Sequence, residues 1–168
     1  MILDFPDAYQ DYDFDCGPAA VQAVLGYFSR PVELTELTAA LQADEEKGTP
    51  PDALCAELRR HGLDVQFGQM GIAELRAAIE QGSPTILVLQ AWPEKSPEAA
   101  WDDGHYVIAI GYLCDRILFE DPSEDDLIWL TERELLDRWH DRDAGGNEYH
   151  CFGIVVSEDE SAQDDADA

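Results

Sequence analysis

Apolar positions along this chain change period near its midpoint. Between residues 16 and 28, Ala19, Val21, Ala23, Val24, Leu25 and Phe28 recur at helical spacing. Thr35 reads as the N-cap of a short helix through Gln42, with Leu37, Ala40 and Leu41 inward. Thr49-Pro50-Pro51 opens a further helix that runs to about His61 and stops at Gly62. Residues 72–81 place Ile72, Leu75, Ala78 and Ile79 on one face, and Gly82 ends that helix. A short extended segment at 2–5 and an alternating strand at 63–67 are the β signals of this half.

The second half is strand-like. Residues 85–90 are a nearly continuous apolar run, as in a central strand, and 91–104 form a loop of Pro, Trp and Asp. A strand at 105–112 is followed by its hairpin partner at 116–120 and a short strand at 127–130. Thr131-Glu132-Arg133-Glu134 is a capping box that opens a helix ending near Trp139. Residues 141–147, with Gly145-Gly146, read as a turn region before a last strand at 149–156. Helices first and strands second predict an α+β fold, with the helical half packed to one side of an antiparallel sheet. Residues 1–156 read as one domain without repeat or linker, followed by an acidic tail at 157–168 that is expected to be disordered.

Charge narrows the partners. The chain of 168 residues carries a net charge of −27, from 37 acidic and 10 basic residues. Lysine occurs only at Lys47 and Lys95. Such a surface repels nucleic-acid phosphates and anionic lipid, so neither is an expected partner. Three readings of the charge compete: adaptation to a high-salt cytoplasm, attraction of a cationic peptide or protein, and imitation of a nucleic acid. The first is favoured because the acids are spread along the whole chain. No run approaches the ~20 apolar residues of a membrane span. Met1-Ile2-Leu3-Asp4-Phe5 lacks the features of an export signal, and the expected location is the cytoplasm. Cys16, Cys55, Cys114 and Cys151 are widely spaced, so neither a disulfide framework nor a zinc site is expected, and no cofactor.

Candidate chemistry centres on Cys16, at the start of its helix. Unpaired N–H groups and the helix dipole favour a thiolate there, and the thiolate is the nucleophile. Read alone, Cys16 is better explained as a small buried core residue, and it is Gln10, His105 and Asp121 that reverse this. His105 begins a strong strand after a glycine, and taken singly it is an ordinary core-edge histidine. Asp121 precedes Pro122, which forces it into an extended conformation. A hairpin of the two strands brings His105 and Asp121 to one sheet edge, although Asp-Pro is also a common turn. Gln10 could donate to an oxyanion, together with the Cys16 N–H, or be an exposed loop amide. Asp11, Asp13 and Asp15 would oppose a thiolate if they pointed at it, and are expected to face solvent or to cap the helix. Trp92 and Trp101 either line a cleft or anchor a surface loop. Trp139-His140-Asp141 is a candidate for the cleft rim, with His140 and His61 read as structural. Cys55, Cys114 and Cys151 read as small core residues.

In order along the chain these residues make a papain-like arrangement. The segments Asp15-Cys16-Gly17-Pro18-Ala19, Gly104-His105-Tyr106-Val107 and Asp121-Pro122 resemble the bacteriocin-processing cysteine peptidase family, whose members trim leader peptides after a double glycine. The resemblance runs from about Phe5 to Val156. It implies a papain-like fold, Cys16 as nucleophile, His105 as general base and acid, Asp121 as its orienter and Gln10 in the oxyanion hole. It also implies a peptide or protein substrate and a thioester acyl-enzyme. The best-known members are fused to an ABC transporter. This chain has neither membrane spans nor a GxxxxGK[ST] loop, so export coupling is not carried over. Related acyl or peptidyl transferases share the arrangement, and an acidic binding protein on a silent scaffold is a further alternative.

Overall fold

The computed structural model describes residues 1–43, 45, 48–92 and 97–159. Three helices come first: α1 (Cys16–Tyr27), α2 (Leu34–Leu41) and α3 (Pro51–Arg60). Then follow β1 (Leu63–Gln69), α4 (Ile72–Glu80), β2 (Thr85–Gln90), β3 (Gly104–Leu113) and β4 (Arg116–Glu120). The chain closes with β5 (Ile128–Thr131), α5 (Glu132–Arg138), β6 (His140–Arg142), β7 (Glu148–His150) and β8 (Phe152–Glu158).

Six strands form one sheet in the order β1-β8-β2-β3-β4-β5, and every neighbouring pair is antiparallel. The fold is α+β, as predicted. β2 is buried along its whole length, which explains its unbroken apolar sequence. Successive side chains of a strand point to opposite faces, so the centre of the sheet is covered on both faces and not one. α1 packs on β3, α2 and α3 through Ala20, Val21, Val24 and Leu25, none of them measurably exposed. The N-terminal segment lies along β3 beyond the end of β2: Leu3 N donates to Ile110 O, Tyr112 N donates to Met1 O, and Ile2 bridges Gly111. A Cβ on Gly111 would stand only 3.0 Å from the Ile2 side chain, so glycine permits this closure.

Element ends follow local chemistry with four corrections. Gly62 and Gly82 take φ of +75° and +78° just past α3 and α4, the left-handed stops their sequences announced. The capping box at α5 is present: Thr131 Oγ1 accepts from Glu134 N, and Glu134 Oε2 accepts from Thr131 N. Thr35 is not a cap, because α2 starts one residue earlier, after an extended Glu33, and Ala40 is exposed. The last strand is not continuous. Cys151, at φ +48°, breaks it into β7, which pairs with β6 in a separate two-stranded sheet, and β8, which joins the main sheet. β8 runs to Glu158, past the expected boundary at Val156, by pairing with β1. Residues 160–168 of the expected tail lie outside the described residues. Cys55 is a core residue, but Cys114 is exposed in the β3–β4 turn and Cys151 is half-buried.

Candidate active site

α1 begins at Cys16, so the thiol occupies the first helical position. No side chain caps this terminus, and the first N–H groups of a helix have no intrahelical partner. Gly17 fits because a Cβ there would stand 3.1 Å from the Thr49 Cβ, at the entrance to α3. Asp11 and Asp13 face solvent. Asp15 neither faces solvent nor caps by its side chain: it is buried, and its Oδ1 accepts from Thr38 Oγ1 at 3.3 Å. Burial pushes its carboxyl above the usual range.

β3 and β4 are hairpin partners, so the start of one and the end of the other share a sheet edge. His105 Nε2 and Asp121 Oδ1 meet there at 2.6 Å. Ser123 Oγ lies 3.4 Å from the same Nε2, and the Cys16 thiol lines one cleft with the ring and acts on its electrostatics. Burial alone would lower the imidazole pKa. The bond to the Asp121 carboxylate and the influence of the neighbouring Cys16 sulfur outweigh it, and the pKa rises to about 10. Burial likewise works against the Asp121 carboxylate, yet its bonds to His105 and Ser123 hold it below the usual carboxylate range. Ser123 donates to Asp121 Oδ1 through both N and Oγ, each at 2.8 Å. The Asp-Pro turn and the histidine partner are therefore one structure, not alternatives. Gln10 is tied to the same corner: its N–H donates to Pro122 O at 2.9 Å. Its side-chain Oε1 is buried without a hydrogen-bond partner.

The sequence pattern of the peptidase C39 family matches residues 4–142. The chain belongs to that family. Membership supports a cysteine peptidase, and it bears out the family resemblance carried by the cysteine and histidine motifs. No curated protein sequence matches the chain. Solved structures agree on the fold. A double glycine motif protease from an AMS/PCAT transporter, in complex with its leader peptide, superposes with a TM-score of 0.68 at 14% identity, covering 94% of each chain. The peptidase domain of Streptococcus ComA, a bifunctional ABC transporter of a quorum-sensing pathway, gives 0.67 at 15% identity, over 90% of this chain and 97% of that one. A protein described as a C39-like peptidase from Bacillus anthracis gives 0.69 at 15% identity, over 94% and 98%.

In this C39 peptidase a cleft of about 380 Å³ opens over Cys16 and His105, walled by Trp101, Tyr106, Asp141 and Tyr149. Tyr106 is fixed by donating to Thr49 O at 2.8 Å. Trp101 lines the cleft and packs against His140 in a tilted arrangement, with ring centroids 4.6 Å apart, while the Arg142 guanidinium lies over the Trp101 ring, 4.8 Å from its centroid. Asp141 reaches the rim as expected, held by Gln90 Nε2 at 2.9 Å. Trp139 does not: it is buried in the core and donates to Phe152 O. His140 is structural, hydrogen-bonded to Ala100 O, and so is His61, 3.1 Å from Glu57. Trp92 follows the second of its two readings, an aromatic that anchors its loop against the core. It does not line this cleft, and its indole N–H donates to Asp121 Oδ2 at 2.9 Å.

Gly104 has a steric reason. The Asp141 carboxylate lies where its Cβ would be, with Oδ1 2.3 Å from that position. Sequence reasoning missed the roles of Gln90, Trp92 and Ser123. Only Ser123 carried a local signal, as the residue two after an aspartate in a turn. Among the described residues no group of three or more His, Cys, Asp or Glu is placed to hold a metal ion.

Proposed function

We propose that this C39 peptidase cleaves a peptide bond through a Cys16 thioester, with leader-peptide processing as its reaction class. The observation that carries the reading is Cys16, at a helix N-terminus, lining one cleft with His105, whose ring is bonded to Asp121 at 2.6 Å. The paired imidazolium and thiolate are the resting state. The sulfur attacks the substrate carbonyl carbon, and the negative oxygen turns toward the free N–H groups at the start of α1 and the Gln10 amide. As the C–N bond breaks, His105 gives its proton to the leaving amine. Water then attacks the thioester with His105 taking its proton, and loss of the sulfur as thiolate releases the acid and restores the imidazolium–thiolate pair. Asp121 keeps the ring in one orientation and stays ionised throughout.

Leader processing is supported by the structural likeness to a double glycine motif protease whose structure holds a leader peptide. An intracellular setting is supported by four cysteines that are all free. The test is a panel of synthetic peptides, some with Gly-Gly before the scissile bond, digested and read by mass spectrometry. Cleavage at one bond with an acyl adduct on Cys16 is the expected result. An adduct that passes only to added amines, never to water, would make the protein a transferase. No turnover and no adduct with any peptide would favour the silent binding scaffold.

A further inference from the structure

Asp121 has a fully buried side chain, and its two oxygens are partnered unequally. Oδ1 accepts from His105 Nε2, Ser123 N and Ser123 Oγ, all neighbours along the hairpin or the turn. Oδ2 accepts from one group brought in from elsewhere, the Trp92 indole at 2.9 Å. The donors on Oδ1 hold that oxygen, and a donor on Oδ2 adds a second fixed point that further defines the plane of the carboxylate and satisfies its other lone pairs. Trp92 also has a backbone that is hard to explain otherwise. Its φ is +46°, a left-handed conformation that bulky side chains seldom adopt. Such strain persists where surrounding contacts over-determine it, and it gathers at functional sites. Those contacts are present. The Arg138 guanidinium lies 5.2 Å from the indole centroid, and Arg138 Nη1 donates to Gln90 O at 3.2 Å. On the other side of the turn, Ala91 N donates to Asp103 O at 2.9 Å.

We propose that Trp92 is a positioning residue for the Cys16–His105 pair, acting through Asp121, with Arg138 holding the indole in place. The proposal rests on the peptidase reading above. The strained turn out of β2 aims the N–H at Oδ2, and the locked carboxylate aims the imidazole at the sulfur. Removing that N–H leaves a buried oxygen unpaired, so Asp121 takes up a proton at higher pH, and a neutral Asp121 no longer supports an imidazolium.

The test needs no knowledge of the substrate. Alkylation of Cys16 by iodoacetamide is followed from pH 4 to 9 in the full chain, with peptide mapping to separate the four cysteines and thermal melts to verify folding. In Trp92→Phe, which keeps a ring under Arg138, the acid limb of the rate profile moves up by about one pH unit. In an Asp121→Ala background the same change has no further effect. Replacing Trp92 with benzothienylalanine, which has sulfur in place of N–H at nearly the same shape, gives the same shift and covers the case of a misfolded Phe variant. Superimposable profiles for wild type and both variants overturn the proposal while leaving the peptidase reading intact. So does an equal effect with and without Asp121. A wild-type Cys16 that reacts with the profile of an ordinary thiol overturns both.

Discussion

His105 and Asp121, sixteen residues apart in sequence, meet at 2.6 Å because one opens β3 and the other follows the end of its hairpin partner β4. This single contact sets the pH behaviour of the site. The imidazole, with a pKa raised to about 10, remains protonated through neutral pH while Asp121 is ionised beside it.

Asp121→Ala should therefore lower the alkaline limb of the rate profile. Burial, which pushes the imidazole pKa down, is then opposed by the sulfur alone. The rate should fall roughly 10- to 100-fold, the worth of one hydrogen bond to a charged group. Stability should follow the same contact. The folded-state pKa of His105 lies above its unfolded value of about 6.5, so that stabilisation is complete below pH ~6.5 and is lost as pH rises toward 10. Asp121 is held below its unfolded value, so its share is present above pH ~4 and is lost as pH falls through the folded value. Urea unfolding across both windows checks this: wild type should lose stability at each end, and the variant should be flatter.

Gln10→Ala should separate binding of the oxyanion from activation of the sulfur. Turnover of a cleaved peptide should fall roughly 100-fold or more, the usual loss for one oxyanion donor. Alkylation of Cys16 should be unchanged, since Gln10 is absent from the groups that hydrogen-bond His105. Parallel rates for the two reactions would place Gln10 outside the oxyanion site.

Gly104→Ala should be costly for a local reason. Its Cβ would fall within 2.6 Å of three atoms of the Asp141 carboxyl, which Gln90 holds in place. A loss of about 1–3 kcal/mol is expected, with reduced activity because His105 is the next residue. Adding Asp141→Ala removes the obstacle, so the double variant should recover most of the loss. Denaturation midpoints of the four proteins in this cycle give the coupling directly.

The acidic surface predicts a response to salt. At a net charge of −27, self-repulsion opposes the compact state, and molar salt shortens the screening length to about 3 Å. The melting temperature should climb steeply between 0.1 M and 2 M KCl. A flat response would remove high-salt adaptation as the reading of the charge and favour a cationic partner.

The parts of this fold that are legible in the sequence are those fixed by neighbours along the chain. β2 announces itself because all its side chains are buried, and the start of α5 because Thr131 and Glu134 cap each other. The edge shared by His105 and Asp121 follows from two strands and one turn. What was not legible depends on partners far away in sequence. The strand at 149–156 looks continuous because alternation does not record which sheet a residue joins; the switch at Cys151 is set by β6 on one side and β1 and β2 on the other. Thr35 has the chemistry of a cap, but the helix begins where the backbone turns after Glu33. Trp92 gave no sign of its bond to Asp121, because the partner lies 29 residues further along the chain.

The central claim is that one sulfur out of four is activated by one imidazole. A peptidyl chloromethyl ketone or an epoxysuccinyl peptide, applied at near-stoichiometric concentration and followed by peptide mapping, tests it most directly. The prediction is one adduct per chain, on Cys16, with none on Cys55, Cys114 or Cys151, and loss of that adduct in a folded His105→Ala. Labelling spread over the accessible cysteines, or an adduct on Cys16 that His105→Ala does not diminish, would contradict it.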